Sequence, residues 1–231
     1  MIMTTAFLDH IVVGVPHLQD AVRHFADRTG VVPVFGGHHE GNGTANYVVR
    51  LEGLRGDGTA AYLELLGPDE RPGKGVPADA SFFGIDPASE PSDGRIVTWA
   101  IRPTDFDATL ANLVRLGTYD GTVRPLSRLR PDGSRLSWRL THRVPLPLGG
   151  VHPFLIDWGD AQHPASDKRF PTIGVEAFTL RSGSAASRLA LSALDADVPV
   201  EDGADDELYL RLAGAGGDIS FGSARTAASP R

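Results

Sequence analysis

An α+β fold built from repeated β-α-β-β-β units is what this sequence predicts, and three observations point to it. A strand-like run, Phe7-Leu8-Asp9-His10-Ile11-Val12-Val13, precedes one helical stripe and then three more strand-like runs. The stripe Leu18, Val22 and Phe25 recurs as Phe106, Leu110 and Leu113, each 88 positions later. A fixed offset between like patterns marks an internal duplication. The last run of each unit also aligns, Tyr62-Leu63-Glu64-Leu65-Leu66-Gly67 with Phe154-Leu155-Ile156-Asp157-Trp158-Gly159.

Taken in order, the first strand covers Phe7–Val13. Pro16 sits where a helix opens, since its missing N–H matters little in a first turn. Leu18, Val22 and Phe25 form the buried stripe of that helix, and Gly30 is its stop. Val31–Phe35 reads as a second strand, Gly36–Gly43 as a polar loop, and Asn46–Leu51 and Ala60–Leu66 as the third and fourth strands. A Pro/Gly/Asp-rich connection runs from Gly67 to Arg95, with Ser81-Phe82-Phe83 as its local anchor.

The second unit starts with strand Ile96–Ile101. Pro103 then precedes the helix with Phe106, Leu110 and Leu113, which Gly117 closes. Strands follow at Val123–Leu129, Leu136–Arg143 and Pro153–Trp158, with Pro131-Asp132-Gly133 as the turn between the first two. After a linker, Asp160 to Pro171, a weaker third copy begins. It has strand Ile173–Leu180, a helix near Ala185–Leu194, and short strands near Val198–Glu201, Glu207–Leu212 and Asp218–Phe221. The expected units are therefore 1–70, a linker 71–94, 95–160, 161–222, and a disordered tail 223–231.

Composition narrows the function classes. A net charge of −7 argues against nucleic acid or an anionic membrane as main partner. The chain has no cysteine, so disulfides, thiolate metal sites and cysteine nucleophiles are excluded. No signal peptide or run of roughly 20 apolar residues is evident, so the cytoplasm is the expected location. There is no Gly-x-Ser-x-Gly elbow and no His-Glu-x-x-His pair.

Two ionisable groups stand inside apolar strands, His10 and Glu64. A buried carboxylate needs a cation, a donor or a ligand beside it. Strand alternation puts Tyr62, Glu64 and Leu66 on one face, opposite Leu63 and Leu65, which should pack on a helix. Glu64 is thus a candidate ligand or general base, or else the partner of His10 or Arg139 in a core. His10 is a metal ligand or acid–base group, or a core histidine.

His39, and less so His38, could swing over the site from a glycine-rich loop. Asn46 opens a strand and could bond a ligand. Trp138 shares a face with Leu136 and Leu140 and is expected in the core. Arg139, on the opposite face, could hold a carboxylate or phosphate bidentately, or neutralise Glu64. Of His152 and His163, the former is the better ligand candidate because it stands at a strand entrance.

The segments Leu8–Pro16, Gly36-Gly37-His38-His39 with Gly43-Thr44-Ala45-Asn46, Tyr62–Asp69, Trp138-Arg139-Leu140 and Pro153–Gly159 resemble the vicinal oxygen chelate superfamily, in its glyoxalase-like domain branch. The resemblance covers about Phe7 to Pro164. It implies two modules whose strands curl into one mixed-sheet cup, and the architecture expected is that cup with helices on its convex side and the third partial module attached.

It also implies a divalent metal (Zn, Mn, Fe or Ni) held by the first and fourth strands of each module. His10 and Glu64 match those positions in the first module. Thr98 and Ile156 occupy them in the second, and neither is an ordinary ligand.

Two readings follow. In one, a metal-dependent lyase, isomerase or oxygenase uses His10 and Glu64 as ligands, with Glu64 or His39 moving a proton. In the other, a metal-free protein sequesters a small molecule against His10, Glu64 and Arg139. A plainer third option is an oligomerisation domain, and a homodimer is the expected assembly if one forms.

Overall fold

Valine, isoleucine, leucine and aromatic residues make the strands, the central ones buried on both faces, and a single apolar stripe per unit makes each helix. The computed structural model describes residues 6–39, 41–54, 61–74, 82–129, 133–142, 146–194 and 198–223, the side chains of Phe82, Ala186 and Ala190 aside. The first unit is β1 (Ala6–Gly14), α1 (Leu18–Thr29), β2 (Val34–His39), β3 (Thr44–Glu52) and β4 (Ala61–Pro68). The second is β5 (Arg95–Pro103), α2 (Phe106–Arg115), β6 (Val123–Leu129), β7 (Arg135–Thr141) and β8 (Phe154–Asp157). Then come β9 (Thr172–Ser182), α3 (Ala185–Ser192), β10 (Val200–Asp202), β11 (Glu207–Gly214) and β12 (Gly217–Gly222).

Among the described residues twelve strands form one mixed sheet. The first unit runs β2-β3-β4-β1 and the second continues β5-β8-β7-β6, so the two join through antiparallel β1 and β5. The far edges meet at a single pair, His38 with Leu129 of β6, which curls the eight strands around a cup. The duplication is visible in the register. His10 and Val12 correspond to Thr98 and Ala100 by the 88-residue offset, and His10 pairs with Ala100 while Val12 pairs with Thr98.

Both helix stripes fall as expected. Leu18, Val22 and Phe25 are buried on α1, and Phe106, Leu110 and Leu113 on α2. Gly30 ends α1 with φ +72°, its N–H bonding the Ala26 carbonyl at 2.8 Å, a left-handed cap that favours glycine. Asp105 caps α2 by accepting from the Ala108 N–H at 2.9 Å.

Two apolar layers result. On the helix side Phe25 and Leu113 share a cluster with Ile11, Val13, Leu63 and Leu65. Inside the cup Val12, Tyr62, Leu66, Phe154, Ile156 and Trp158 form a second. The third unit adds Phe178, Leu180, Leu210 and Phe221 to the helix-side layer and extends the sheet from β3 through parallel β9. It does not line the cup.

Three local expectations need correction. Val31–Phe35 is not the second strand, because Pro33 cannot donate to a ladder and β2 begins after it. Gly36 to His39 is strand, not loop, paired to β3 as far as His39 with Thr44. The histidines therefore sit on a fixed wall and do not swing. The return strand β7 ends at Thr141. Residues 131 and 132 of the expected turn, and the tail beyond Ser223, lie outside the described residues.

Candidate functional site

The register of β1 against β5 slips at Asp9, with Leu8 opposite Ile101 and His10 opposite Ala100. The bulge adds one residue, so side chains before and after it change faces. Ala6 and Leu8 lie on the helix side, as do Ile11 and Val13. His10 and Val12 face the cup. Asp9, the extra residue, is fully buried and turns toward the same side as His10.

Asp9 is a hub. One oxygen lies 2.7 Å from His10 Nδ1. The other accepts from Trp158 Nε1 at 3.0 Å, lies 3.1 Å from His163 Nε2, and has Arg102 Nη1 at 3.6 Å. Burial pushes the Asp9 carboxyl up, but its bonds to His10 and His163 outweigh this and hold it well below the usual carboxylate range. Donation from His10 Nδ1 to Asp9 leaves Nε2 facing Glu64, whose Oε2 is 3.7 Å away. Tyr62 stacks on the His10 ring at 4.6 Å and fixes its plane.

Glu64 is held from the other side. Asn46 donates from Nδ2 to its Oε1, and Arg128 Nη1 donates to Asn46 Oδ1 at 2.7 Å. Asn46, Glu64 and Arg128 are all buried. Gly36 makes this relay possible. It is the bulged residue of β2, and a Cβ there would overlap both the Arg128 guanidinium and the Asn46 amide. Gly36→Ala is therefore expected to destabilise the fold by about 1–3 kcal/mol through overpacking. A urea titration checks this, and a loss under about 0.5 kcal/mol would show that the relay has slack.

His39 Nε2 lies 3.9 Å from Glu64 Oε1, and its Nδ1 is 3.0 Å from Thr44 Oγ1. Burial pushes His39 down to about 4, with Glu64 pulling it up and Arg128 down. His39 is thus a neutral ring at pH 7. The remaining walls are apolar, mainly Leu66, Leu126, Leu140, Phe154, Ile156 and Trp158. The hollow together with its solvent-open mouth spans about 450 Å³.

The structure brings together four of the sequence-derived candidates: His10, Glu64, His39 and Asn46. It separates the fifth. Arg139 points to the helix side, bonding both Asp107 oxygens at 2.9 Å and Asp157 at 2.8 Å, with its guanidinium 4.5 Å from the Phe106 ring. Those carboxylates raise its pKa above the usual value. It neither anchors a ligand in the cup nor pairs with Glu64, because its face of β7 is the convex one. Trp138, expected in the core, lines the cup half-buried. His152 lies outside the cup, whereas His163 joins it through Asp9.

Asp9 and Arg128 were missed. The only signal for Arg128 is its parity with Leu126 on β6. Asp9 needed the bulge, which no local pattern announces.

His152 is also pushed down to about 4 by burial. Unfolded histidine titrates near 6.5. Between those values the unfolded chain binds protons that the folded chain refuses, so stability falls as pH drops from about 6.5 to 4. His39 and His152 each contribute up to about 3 kcal/mol of that loss. Urea midpoints should be level from pH 8 to 7 and fall steeply from 6 to 4.5. A level profile down to 4.5 would contradict both assignments.

Comparison with known proteins fits this geometry. A sequence profile described as a glyoxalase-like domain matches residues 8–194. The chain belongs to the glyoxalase-like domain family, within the vicinal oxygen chelate superfamily. No curated protein sequence matches it.

Among solved structures, this glyoxalase-like protein is similar to a hypothetical protein from Staphylococcus aureus, at 18% identity and TM-score 0.57, covering 94% of this chain and 85% of that one. A variant of Streptomyces coelicolor methylmalonyl-CoA epimerase shares 23% identity over 70% of this chain and 100% of that one, at TM-score 0.43. Methylmalonyl-CoA epimerase from Mycobacterium tuberculosis shares 24% over 64% and 84%, at TM-score 0.37. The likeness to the Staphylococcus aureus protein speaks for the fold alone. Among the described residues no helix is long and apolar enough to cross a membrane.

Members of this superfamily commonly use a divalent metal, and the donor set here can be tested against one. All candidate donors come from the first unit. Ile156 meets the cup with an apolar side chain and Thr98 lies outside it. Arg128 already places a positive charge in the same wall. Among the described residues no group of three His, Cys, Asp or Glu is arranged to hold a metal ion. The residues present do not fit a divalent ion, which generally takes three or more protein ligands of this kind.

Proposed function

We propose that the cup binds a small molecule with an apolar or aromatic body and that Glu64 moves one of its protons, as an isomerase or lyase requires. The observation behind this reading is the Glu64 carboxylate. It is buried among apolar walls, oriented by the Asn46–Arg128 relay, and faces His10 Nε2 across 3.7 Å. That gap exceeds a hydrogen bond, so neither group is taken up by the other and both line the hollow that a ligand would meet. Glu64 is the base. The proton it takes passes to the open Nε2 of His10, whose ring is fixed by Asp9 and Tyr62, and from there returns to the substrate at a second position. Neutral His39 offers a hydrogen bond to a developing oxyanion.

The test is deuterium exchange. The protein is incubated in D₂O with a panel of small aryl ketones, 2-oxo acids and thioesters, and exchange alpha to the carbonyl is followed by NMR. Exchange of at least one compound is expected, unchanged by added Mn, Zn, Fe or Ni. Absence of exchange across the panel, beside tight binding that depends on Glu64, would replace this reading with sequestration. The apolar walls contributed by the second unit favour that alternative.

A further inference from the structure

Beside the cup lies a second hollow, with Thr98, Tyr119 and His152 among its walls. Two rings, Phe83 and Phe154, line both hollows and stand between them. Their settings differ. Phe154 stands on β8, and the other large rings of the cup, Tyr62, Trp138 and Trp158, likewise stand on a strand or directly after one. Phe83 comes from the connection between the two units, in a single helical turn, Phe82–Gly84, outside the sheet. Its side chain is nonetheless 5% exposed and belongs to the apolar cluster inside the cup.

Three features mark Phe83 as the wall that can move. Its backbone is left-handed, with φ +65° and ψ +10°, a conformation that bulky side chains rarely adopt and that clusters at ligand clamps and switches. Gly84 follows with φ +65°, and a Cβ there would meet nothing within 4 Å, so the turn has open space beside it. The chain is fixed again just beyond, by buried Ile85 and by the buried pair in which Arg95 Nε lies 2.7 Å from Glu90 Oε2. A swing is thereby confined to Phe83 and Gly84.

The need for movement comes from space. With Phe83 in place and the open mouths set aside, each hollow has room for little more than one or two water molecules. The substrate proposed above enters only if a wall gives way. A phenyl-sized ring fits the seat of Phe83, because such a ring already fills it. That seat lies against Phe154, with ring centroids 5.2 Å apart, and Phe154 in turn meets the His10 ring at 5.3 Å. We propose that Phe83 is a gate, its ring holding the seat of the ligand's aryl group and swinging outward when a ligand with a phenyl-sized ring enters. The inference rests on the cup being a small-molecule site, but not on Glu64 being its base.

The experiment places 4-fluorophenylalanine at position 83 of the full chain and titrates in acetophenone at pH 7.5. Without ligand the ¹⁹F resonance should be that of a buried ring, unmoved between H₂O and D₂O. Saturating acetophenone should shift it toward that of free 4-fluorophenylalanine and make it sensitive to the solvent isotope. Phe83→Ala should fold and bind acetophenone at least about tenfold more tightly than wild type, since a seat open less than about a tenth of the time weakens binding by that factor. Phe83→Gly should unfold at no lower urea concentration than Phe83→Ala, because the left-handed backbone suits glycine. Acetophenone bound while the fluorine at position 83 stays buried overturns the proposal. So does a Phe83→Ala variant that fails to fold, or that binds acetophenone no more tightly than wild type does. A ring that moves as expected, beside no deuterium exchange in any carbonyl compound, would count against Glu64 as base and leave the gate standing.

Discussion

Glu64→Gln is expected to lower proton-exchange turnover by about 10²–10⁴-fold while the protein remains folded. The glutamine oxygen can still accept from Asn46, so the relay to Arg128 survives in shape. What is lost is basicity at the one carboxylate that faces both His10 and His39. The effect should fall on kcat more than on KM, because the apolar walls that hold the substrate body are untouched. The check is steady-state exchange kinetics beside a urea titration. A variant that retains more than about a tenth of wild-type kcat would remove Glu64 from the role of base. His10→Ala should cost less than Glu64→Gln if His10 only returns the proton, and as much if the two act as a unit.

The architecture was legible because it rests on periodicity. The stripes of α1 and α2 and the alignable apolar runs ending at Gly67 and Gly159 are local patterns, and the 88-residue offset survives into the paired register of β1 and β5. His10, Glu64 and Asn46 were legible for a related reason. Polar groups inside apolar strands must be satisfied by something, and alternation says on which face. The same reasoning failed on β7. Parity separated Trp138 from Arg139 correctly, but nothing local says which face is concave, and Trp138 proved to be the cup residue.

Arg139 pairs with Asp107 of the helix, a partner 32 positions away. Arg128 and Gly36 belong to a long-range relay, 82 positions between Arg128 and Asn46, that only closure of the sheet reveals. His38 and His39 were misplaced because glycine density reads as a loop, whereas here Gly36 marks a bulge that makes room for a guanidinium.

Asp9→Ala is expected to destabilise the protein by about 3–5 kcal/mol, the largest loss of any single substitution at the site. The carboxylate is fully buried and serves His10, His163 and Trp158 at once, with Arg102 near by. Its removal leaves an indole N–H and two ring nitrogens without their acceptor in a region closed to water.

Asp9→Asn keeps the volume but brings an NH₂ group that can accept from none of these donors, so it should lose roughly half as much. The m-value should stay constant if only the folded state is affected. A mere cavity predicts additivity with His10→Ala, whereas a shared carboxylate predicts coupling of about 1–3 kcal/mol in the double variant. Additive losses would mean that the bulge at Asp9 exists for packing alone. Coupled losses would mean that the first strand gives up one register position to hold an imidazole in place for chemistry.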